Sequence, residues 1–185
     1  LEVWEEQLVQ HGTLLIEKRR EFIEELRPLA IKAYRRIAGD ESLSLGYVGD
    51  IDSPSDFSRI LREARSTDIR RKLTTRGPHR DDIEFYIDDH PARSKASQGQ
   101  QKSAALALKL AELEWVRDRV GEYPVLMLDE VLAELDPERS AHLFDAIPDE
   151  VQCLITTTQP DLSTLFDDRS VETFEIVSGS IRKSP

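Results

Sequence analysis

Residues 94–114 read SKASQGQQKSAALALKLAELE, and they set a small polar pentapeptide, Ser97-Gln98-Gly99-Gln100-Gln101, directly before the most strongly helical run in the chain. Leu106, Leu110, Leu113, Val116 and Val120 follow at steps of 4, 3, 3 and 4, the spacing of one buried helix face. A helix is therefore predicted from Ser97 to about Arg119, packed on a core. Its first turn offers unbonded N–H groups and a serine hydroxyl at the fixed end of a rod, an arrangement suited to an anion. Taken alone, Ser97 reads more simply as an N-cap, the common use of serine at a helix start.

A second stretch changes that balance. Residues 124–137, PVLMLDEVLAELDP, open with four apolar residues, Val125 to Leu128, whose lack of alternation predicts an interior parallel strand. The strand ends on adjacent carboxylates, Asp129 and Glu130. Ligands of open α/β sheets lie beyond the carboxyl ends of the strands, where one carboxylate can hold Mg²⁺ and the next can polarise a nucleophile. The plainer alternative is a strand end with solvated acids. Asp136 precedes Pro137 at the start of another predicted helix, which is also the position of an ordinary cap.

Around these motifs the chain divides at about residue 75. From 1 to 38 the apolar pairs Leu8/Val9, Leu15/Ile16, Phe22/Ile23 and Leu29/Ala30 recur every seven residues, predicting a helix that seeks a helical partner, with a kink or break at Pro28. SLSLGYVGD alternates as a short strand, and SPSDFSRILREARSTDIRRKL predicts a helix with Phe57, Ile60, Leu61 and Ala64 on one face. Arg59, Arg62, Arg65, Arg70, Arg71 and Lys72 make its other face basic, read here as a solvated helix face. TTRGPHRDD marks a turn-rich boundary whose His79, Arg80, Asp81 and Asp82 read either as a structural ion-pair knot, the favoured reading, or as a contact to nucleotide or DNA. Beyond it come a hairpin (DIEFYIDD, PARS), the Ser97 helix, the strand to Glu130, the Pro137 helix, a strand VQCLITTT, a short helix DLSTLF and two closing strands. Residues 1–75 thus form a helical arm region, and 76–185 an α/β lobe.

The 185 residues suffice for one good-sized core, and 39% apolar with 33% charged residues is ordinary for a globular protein. No apolar run approaches the length of a membrane span, and LEVWEEQLVQ lacks the basic and apolar regions of a secretory leader, so a cytosolic protein is expected. The single cysteine, Cys153, is expected to be a buried reduced thiol. Net charge is −11 and concentrated after residue 75, where 12 basic residues face 22 acidic ones. This disfavours indiscriminate nucleic-acid binding, so any DNA contact must be local or made with a partner.

Order and spacing carry the argument further than any one motif. A Ser-x-Gly-Gln-Gln helix start, then an apolar strand ending in Asp-Glu, then Leu-Asp-Pro resembles the carboxyl-terminal half of an ABC-type ATPase head: signature motif, Walker B and D-loop. The wording of GPHRDD, ASQGQQKSAALALKLAELE, PVLMLDEVLAELDPERSAHLF and LITTT is similar to the RecF family of bacterial repair proteins, closely over residues 75–160 and as the family's helical arm over 1–74. The fold class implied is α/β, the carboxyl-terminal lobe of an ABC-type ATPase head with an appended helical arm subdomain.

The resemblance also implies roles. Ser97, Gln98, Gly99, Gln100 and Gln101 would contact the γ-phosphate of ATP bound by the other subunit of an ATP-dependent homodimer. Asp129 would reach Mg²⁺, Glu130 would orient the attacking water, and Asp136 would lie at the dimer interface. Where many such heads carry a switch histidine this chain has Thr156-Thr157-Thr158, and Thr157 or Thr158 is the expected sensor. The intact protein would bind duplex or gapped DNA, work with RecR and support RecA loading. No Gly-Lys pair occurs anywhere in the chain, so no phosphate loop of the G-x-x-x-x-G-K-[ST] kind is present. With Leu1 at its start, the chain reads as a fragment that should not bind or hydrolyse ATP normally by itself. Two alternatives stand beside this: the head of another SMC-like ATPase, which the short arm disfavours, and a non-enzymatic interaction or dimerisation module.

Overall fold

A computed structural model describes residues 2–51, 53–158 and 170–183. Helix α1 (Glu2–Ala38) runs 37 residues without interruption. Its buried residues Ile16, Ile23, Ala30 and Ile37 are seven apart, joined by Leu26 and Ala33, so the heptad stripe seen in the sequence is the buried face. Pro28 sits inside the helix without ending it. Proline removes one ladder hydrogen bond, and here the packing of Leu26, Ala30, Ala33 and Tyr34 into the main core holds the helix through that gap.

After α1, strand β1 (Leu43–Val48) pairs antiparallel with β2 (Asp82–Ile87), which turns through Asp88 and Asp89 into the two-residue β3 (His90–Pro91). Between β1 and β2 lie a 3-10 turn (Pro54–Asp56) and α2 (Phe57–Arg71). A short helix α3 (Ala92–Lys95) leads into α4 (Gln98–Val120), the helix predicted from the opening stretch. Strand β4 (Leu126–Asp129) pairs in parallel with β5 (Cys153–Thr156), with α5 (Pro137–Ala146) in the crossover between them. The described part closes with an antiparallel hairpin, β6 (Phe174–Val177) and β7 (Ser180–Lys183). The expected helix DLSTLF lies outside the described residues.

Two cores organise these elements. The main one joins Leu26 to Ile37 of α1, Leu43 and Leu45 of β1, Ile87 of β2, the α4 residues Ala104, Leu106, Ala107, Leu110, Ala111 and Leu113, and Leu143 and Phe144 of α5. It draws on both sides of position 75, as does the β1–β2 pairing. The smaller core, Ile16, Ile51, Phe57 and Leu61, lies wholly within the arm region. There α1 accommodates the Phe57 ring at Gly12, where an added Cβ would lie 2.5 Å from the ring edge.

Three expectations need correction. Val120 is 70% exposed, because α4 runs past the core in its last turn and ends on Gly121 with φ +88°. Among the described residues strand β4 is parallel but pairs with β5 alone, so it is not interior. Leu126 and Leu128 are buried while Met127 is 75% exposed, since the other face of the β4–β5 pair meets no covering element among the described residues. Cys153 is half-buried rather than buried: it lies beside Leu126 on the covered face and packs partly against the main core. On α2, Phe57 and Leu61 are buried and Ile60 and Ala64 only partly so. Of its basic face, Arg59 pairs with Asp56 and Glu63, and Arg65 with Glu5.

The boundary segment 74–82 is a knot of local and arm-directed bonds. A 3-10 turn (Pro78–Arg80) follows Gly77, and the His79 ring Nε2 bonds the Thr74 carbonyl at 2.8 Å. Arg19 of α1 donates to the Pro78 carbonyl at 2.5 Å, and Tyr47 of β1 donates its hydroxyl to Asp81. Burial first, then the Asp81 bond and charge, push the Tyr47 hydroxyl up to about 12.

Two predictions follow from these local structures. Ser97 accepts the Gln100 N–H at 3.2 Å while the Gln100 side chain accepts the Ser97 N–H at 2.9 Å, a complete capping box. Ser97→Ala should therefore lower the unfolding free energy by about 1 kcal/mol in urea titrations, and an unchanged midpoint would refute the cap. The fold holds Tyr47 neutral with a raised pKa, so its contribution is complete below its ordinary value of 10.0 and is lost as pH rises toward about 12. Denaturation midpoints across that window should fall less steeply for Tyr47→Phe than for the parent; equal slopes would show that the Asp81 bond contributes nothing.

Candidate functional site

The parallel register of β4 and β5 sets Asp129 opposite Thr156. The Thr156 hydroxyl donates to Asp129 Oδ1, and the Glu130 N–H bonds back to Thr156 through both its carbonyl, at 3.1 Å, and its Oγ1, at 3.3 Å. These bonds hold Glu130 at φ +50°, ψ +26°, left-handed backbone that a non-glycine residue adopts at a cost of about 1 kcal/mol. Glu130 thus turns out of the strand line into a 3-10 turn (Val131–Glu134), and its carboxylate and that of Asp129 both lie at exposed positions beyond the strand end.

Asp129 and the Thr156 hydroxyl are hard oxygen donors side by side, which suits Mg²⁺, an ion that keeps several waters and takes few protein ligands. No group of three or more acidic, histidine or cysteine side chains able to hold a metal occurs among the described residues. A cation at Asp129 would therefore draw its remaining ligands from water and phosphate oxygens, as Mg²⁺ does at nucleotide sites.

Thr156 was not picked out by the sequence, which pointed to Thr157 and Thr158. Thr157 is half-buried just past the end of β5 and Thr158 is exposed in a bend. Only the strand register distinguishes the three threonines, and that register follows from pairing the apolar runs LMLD and CLIT in parallel.

Ser97 to Gln101 occupy the cap and first turn of α4. The capping box uses the Gln100 N–H, and the Gln101 N–H reaches the Ser97 carbonyl at 3.0 Å. The N–H groups of Gln98 and Gly99 are left with no intrahelical acceptor. Gln101 Nε2 bonds the carbonyls of Ala92 and Ala96, each at 3.1 Å, and so ties the turn before α4 to the helix. Ser97 is thus both a cap and the edge of an open N–H cradle.

Asp136 is the cap of α5: its Oδ1 accepts the Arg139 N–H at 2.8 Å. Arg139, which the sequence did not single out, folds back over it. Its Nε lies 3.3 Å from Asp136 Oδ2, its Nη1 donates to Ser103 of α4 at 3.1 Å, and its Nη2 pairs with Glu41 at 2.5 Å. Tyr34 of α1 donates to the other Glu41 oxygen at 2.6 Å. Burial opposes the charge on Arg139, but the bond and charge of Glu41 outweigh it and raise its pKa. The Tyr34 hydroxyl is raised by burial and by Glu41.

No family model matches the chain. It is 42% identical over 159 residues to a DNA replication and repair protein RecF from Lachnospira eligens, a match covering 85% of this chain and 43% of that protein. With the RecF protein of a Synechocystis species it shares 39% identity over 195 residues, 99% of this chain and 50% of the relative. Among solved structures, the recombination mediator protein RecF with ATP, of the RecFOR pathway, superposes with a TM-score of 0.79 at 28% identity over 100% of this chain and 50% of that one. A structure described as an SMC ATPase superposes at 0.58 with 13% identity over 91% of this chain and 87% of that chain, a likeness of fold. The chain spans about half the length of the curated relatives it matches. With relatives named RecF along its whole length and the motif order of an ATPase head's second half, this chain belongs to the RecF family.

Proposed function

We propose that this chain is the carboxyl-terminal half of a RecF-type ATPase, and that the intact protein binds ATP and DNA in the RecFOR pathway of repair. The observation that carries the reading is the cluster at the end of the parallel strands, with Asp129 bonded to Thr156 and Glu130 held in a left-handed turn beside it. Support comes from the solved relative, a RecF protein described with ATP. On this reading Asp129 holds Mg²⁺, which screens the phosphate charge when bound. Thr156 orients the Asp129 carboxylate, and Glu130 positions and polarises the attacking water.

The first turn of α4 serves a different nucleotide. With the N–H groups of Gln98 and Gly99 open and the Ser97 hydroxyl beside them, it meets the γ-phosphate of ATP on a second subunit, so that ATP holds a head-to-tail dimer together. Asp136 lies at that dimer interface. The phosphate loop is supplied by a segment other than these 185 residues, which contain no Gly-Lys pair. Partners on this reading are DNA and RecR, in support of RecA loading, in the cytoplasm; no helix among the described residues is long and apolar enough to cross a membrane.

The exposed apolar face of β4–β5, with Val125, Met127 and Leu154 at 50%, 75% and 51% exposure, fits a lobe made to be covered by the other half of the head. This favours the split-ATPase reading over an independent interaction module.

Glu130→Gln in the full-length protein should bind ATP, fail to hydrolyse it and accumulate as an ATP-bound dimer in size-exclusion chromatography with light scattering. Turnover at the parental rate would remove Glu130 from the water-positioning role. Thr156→Val, which keeps the shape and deletes the hydroxyl, should reduce turnover by about tenfold while ATP affinity changes much less. Loss of affinity with unchanged turnover would place Thr156 in nucleotide binding instead.

A further inference from the structure

The Arg139 guanidinium joins three elements that the sequence separates widely. It reaches the cap of its own helix at Asp136, Ser103 on the second turn of α4, and Glu41 in the turn that follows α1. Glu41 is in turn held by Tyr34, a fully buried residue of α1. Arg36 of α1 adds a second tie by donating to the Asp145 carbonyl at the far end of α5. The Arg139 side chain is 18% exposed and that of Glu41 22%, so the pair is shielded from water and from salt. Ser103 is fully buried, and its hydroxyl accepts from Arg139.

Such a site is costly unless every group is bonded, and one planar guanidinium satisfies all three partners at fixed angles. A lysine would carry the charge but could not hold the same three directions at once. The same pieces also lead to the two elements proposed to face the second subunit. Ser103 is about 1.7 turns along α4 from Ser97, and Asp136 is itself a bonding partner.

We propose that Arg139 is a positioning residue that couples the base of the arm, through Glu41 and Tyr34, to the Asp136 loop and to the helix that presents Ser97–Gln101. A shift of α1 relative to α5 changes the Glu41 bond, and the guanidinium passes that change to Asp136 and Ser103 together. The arm therefore sets how well the interface loop and the phosphate-facing helix are aligned for the second subunit. This rests on the ATPase reading above, and the coupling is carried by contacts within one subunit.

The test is a double-mutant cycle in the full-length protein, using Glu41→Gln and Asp136→Asn, which do not touch each other except through Arg139. Each single variant should lower kcat, with the ATP dissociation constant little changed. The double variant should deviate from the product of the single effects by about fivefold, within the range seen for coupled groups. The cycle repeated on Arg139→Gln should show no deviation, and Arg139→Lys should recover stability without recovering kcat. Melting temperatures measured alongside separate misfolding from misalignment. If the single effects multiply in the parent background, or if kcat per folded molecule is unchanged in Arg139→Gln, Arg139 is only a structural tie and the proposal falls. A parent protein that neither binds nor hydrolyses ATP overturns the ATPase reading itself, and this proposal with it.

Discussion

The seam between α1 and α4 is the contact on which the other elements are built. On α1 it presents Leu26, Ala30, Ala33 and Ile37, and on α4 Ala104, Ala107, Leu110 and Ala111, all at or below 9% exposure. Small residues on both sides let two long helices approach closely, and close approach leaves no slack for one to slide along the other. At its outer end the seam is fixed by chemistry that tolerates water. Phe22 meets Trp115 edge-to-face at 4.9 Å, the Trp115 N–H donates to Glu25 at 2.9 Å, and Arg119 lies over the indole at 3.8 Å while also pairing with Glu25. An aromatic pair of this kind adds about 1 kcal/mol beyond its buried area. With α4 held at both ends of this seam, the direction of its first turn is set by α1, and the Gln101 bonds to the Ala92 and Ala96 carbonyls tie Ser97–Gln101 to the turn before it.

That dependence explains which parts of the fold were legible in the sequence. The heptad stripe of α1, the face of α4 at Leu106, Leu110 and Leu113, and the caps at Ser97 and Asp136 are all local patterns, written within a few turns of one helix. They are found where the spacing places them. Pro28 misled in the direction of a break because propensity counts one lost hydrogen bond and cannot count the tertiary contacts around it. Val120 misled because helical spacing does not say where the core ends.

The site divides along the same line. Asp129, Glu130, Asp136 and the Ser97 turn announce themselves by strand end, paired acids and helix start. Thr156 and Arg139 do not, because each acquires its meaning from a partner far away in sequence: Asp129 lies 27 residues from Thr156, and Glu41 lies 98 residues from Arg139. A triplet of threonines gives no reason to prefer the first until the parallel register sets it beside the carboxylate. An arginine two residues after a helix-starting proline looks like one of many surface cations until the fold half-buries it beside Glu41. The apolar run Val125 to Leu128 misled for a related reason: its composition anticipates cover on both faces, whereas the described elements cover only one.

The uncovered face and the strained turn lead to one view of how the lobe is used. Glu130 keeps its left-handed backbone because two bonds to Thr156 hold it, and those bonds exist only while β4 and β5 remain paired in register. The pairing is supported from one side by the main core, which Leu126 and Leu128 join, and left open on the other, where Met127 and Leu154 face solvent. Burying the exposed parts of those two side chains against another lobe would bring about 1–2 kcal/mol each of apolar transfer energy to the strands that hold Asp129, Thr156 and Glu130. On the proposed reading, assembly of the head and readiness of the hydrolytic acids are then one event, since the surface that completes the sheet is the surface that stiffens the site. On the same reading the turn at Ser97 needs no such completion, because its orientation comes from α1. The lobe so read has one proposed nucleotide element that is set within the chain and another that is finished by what packs against it.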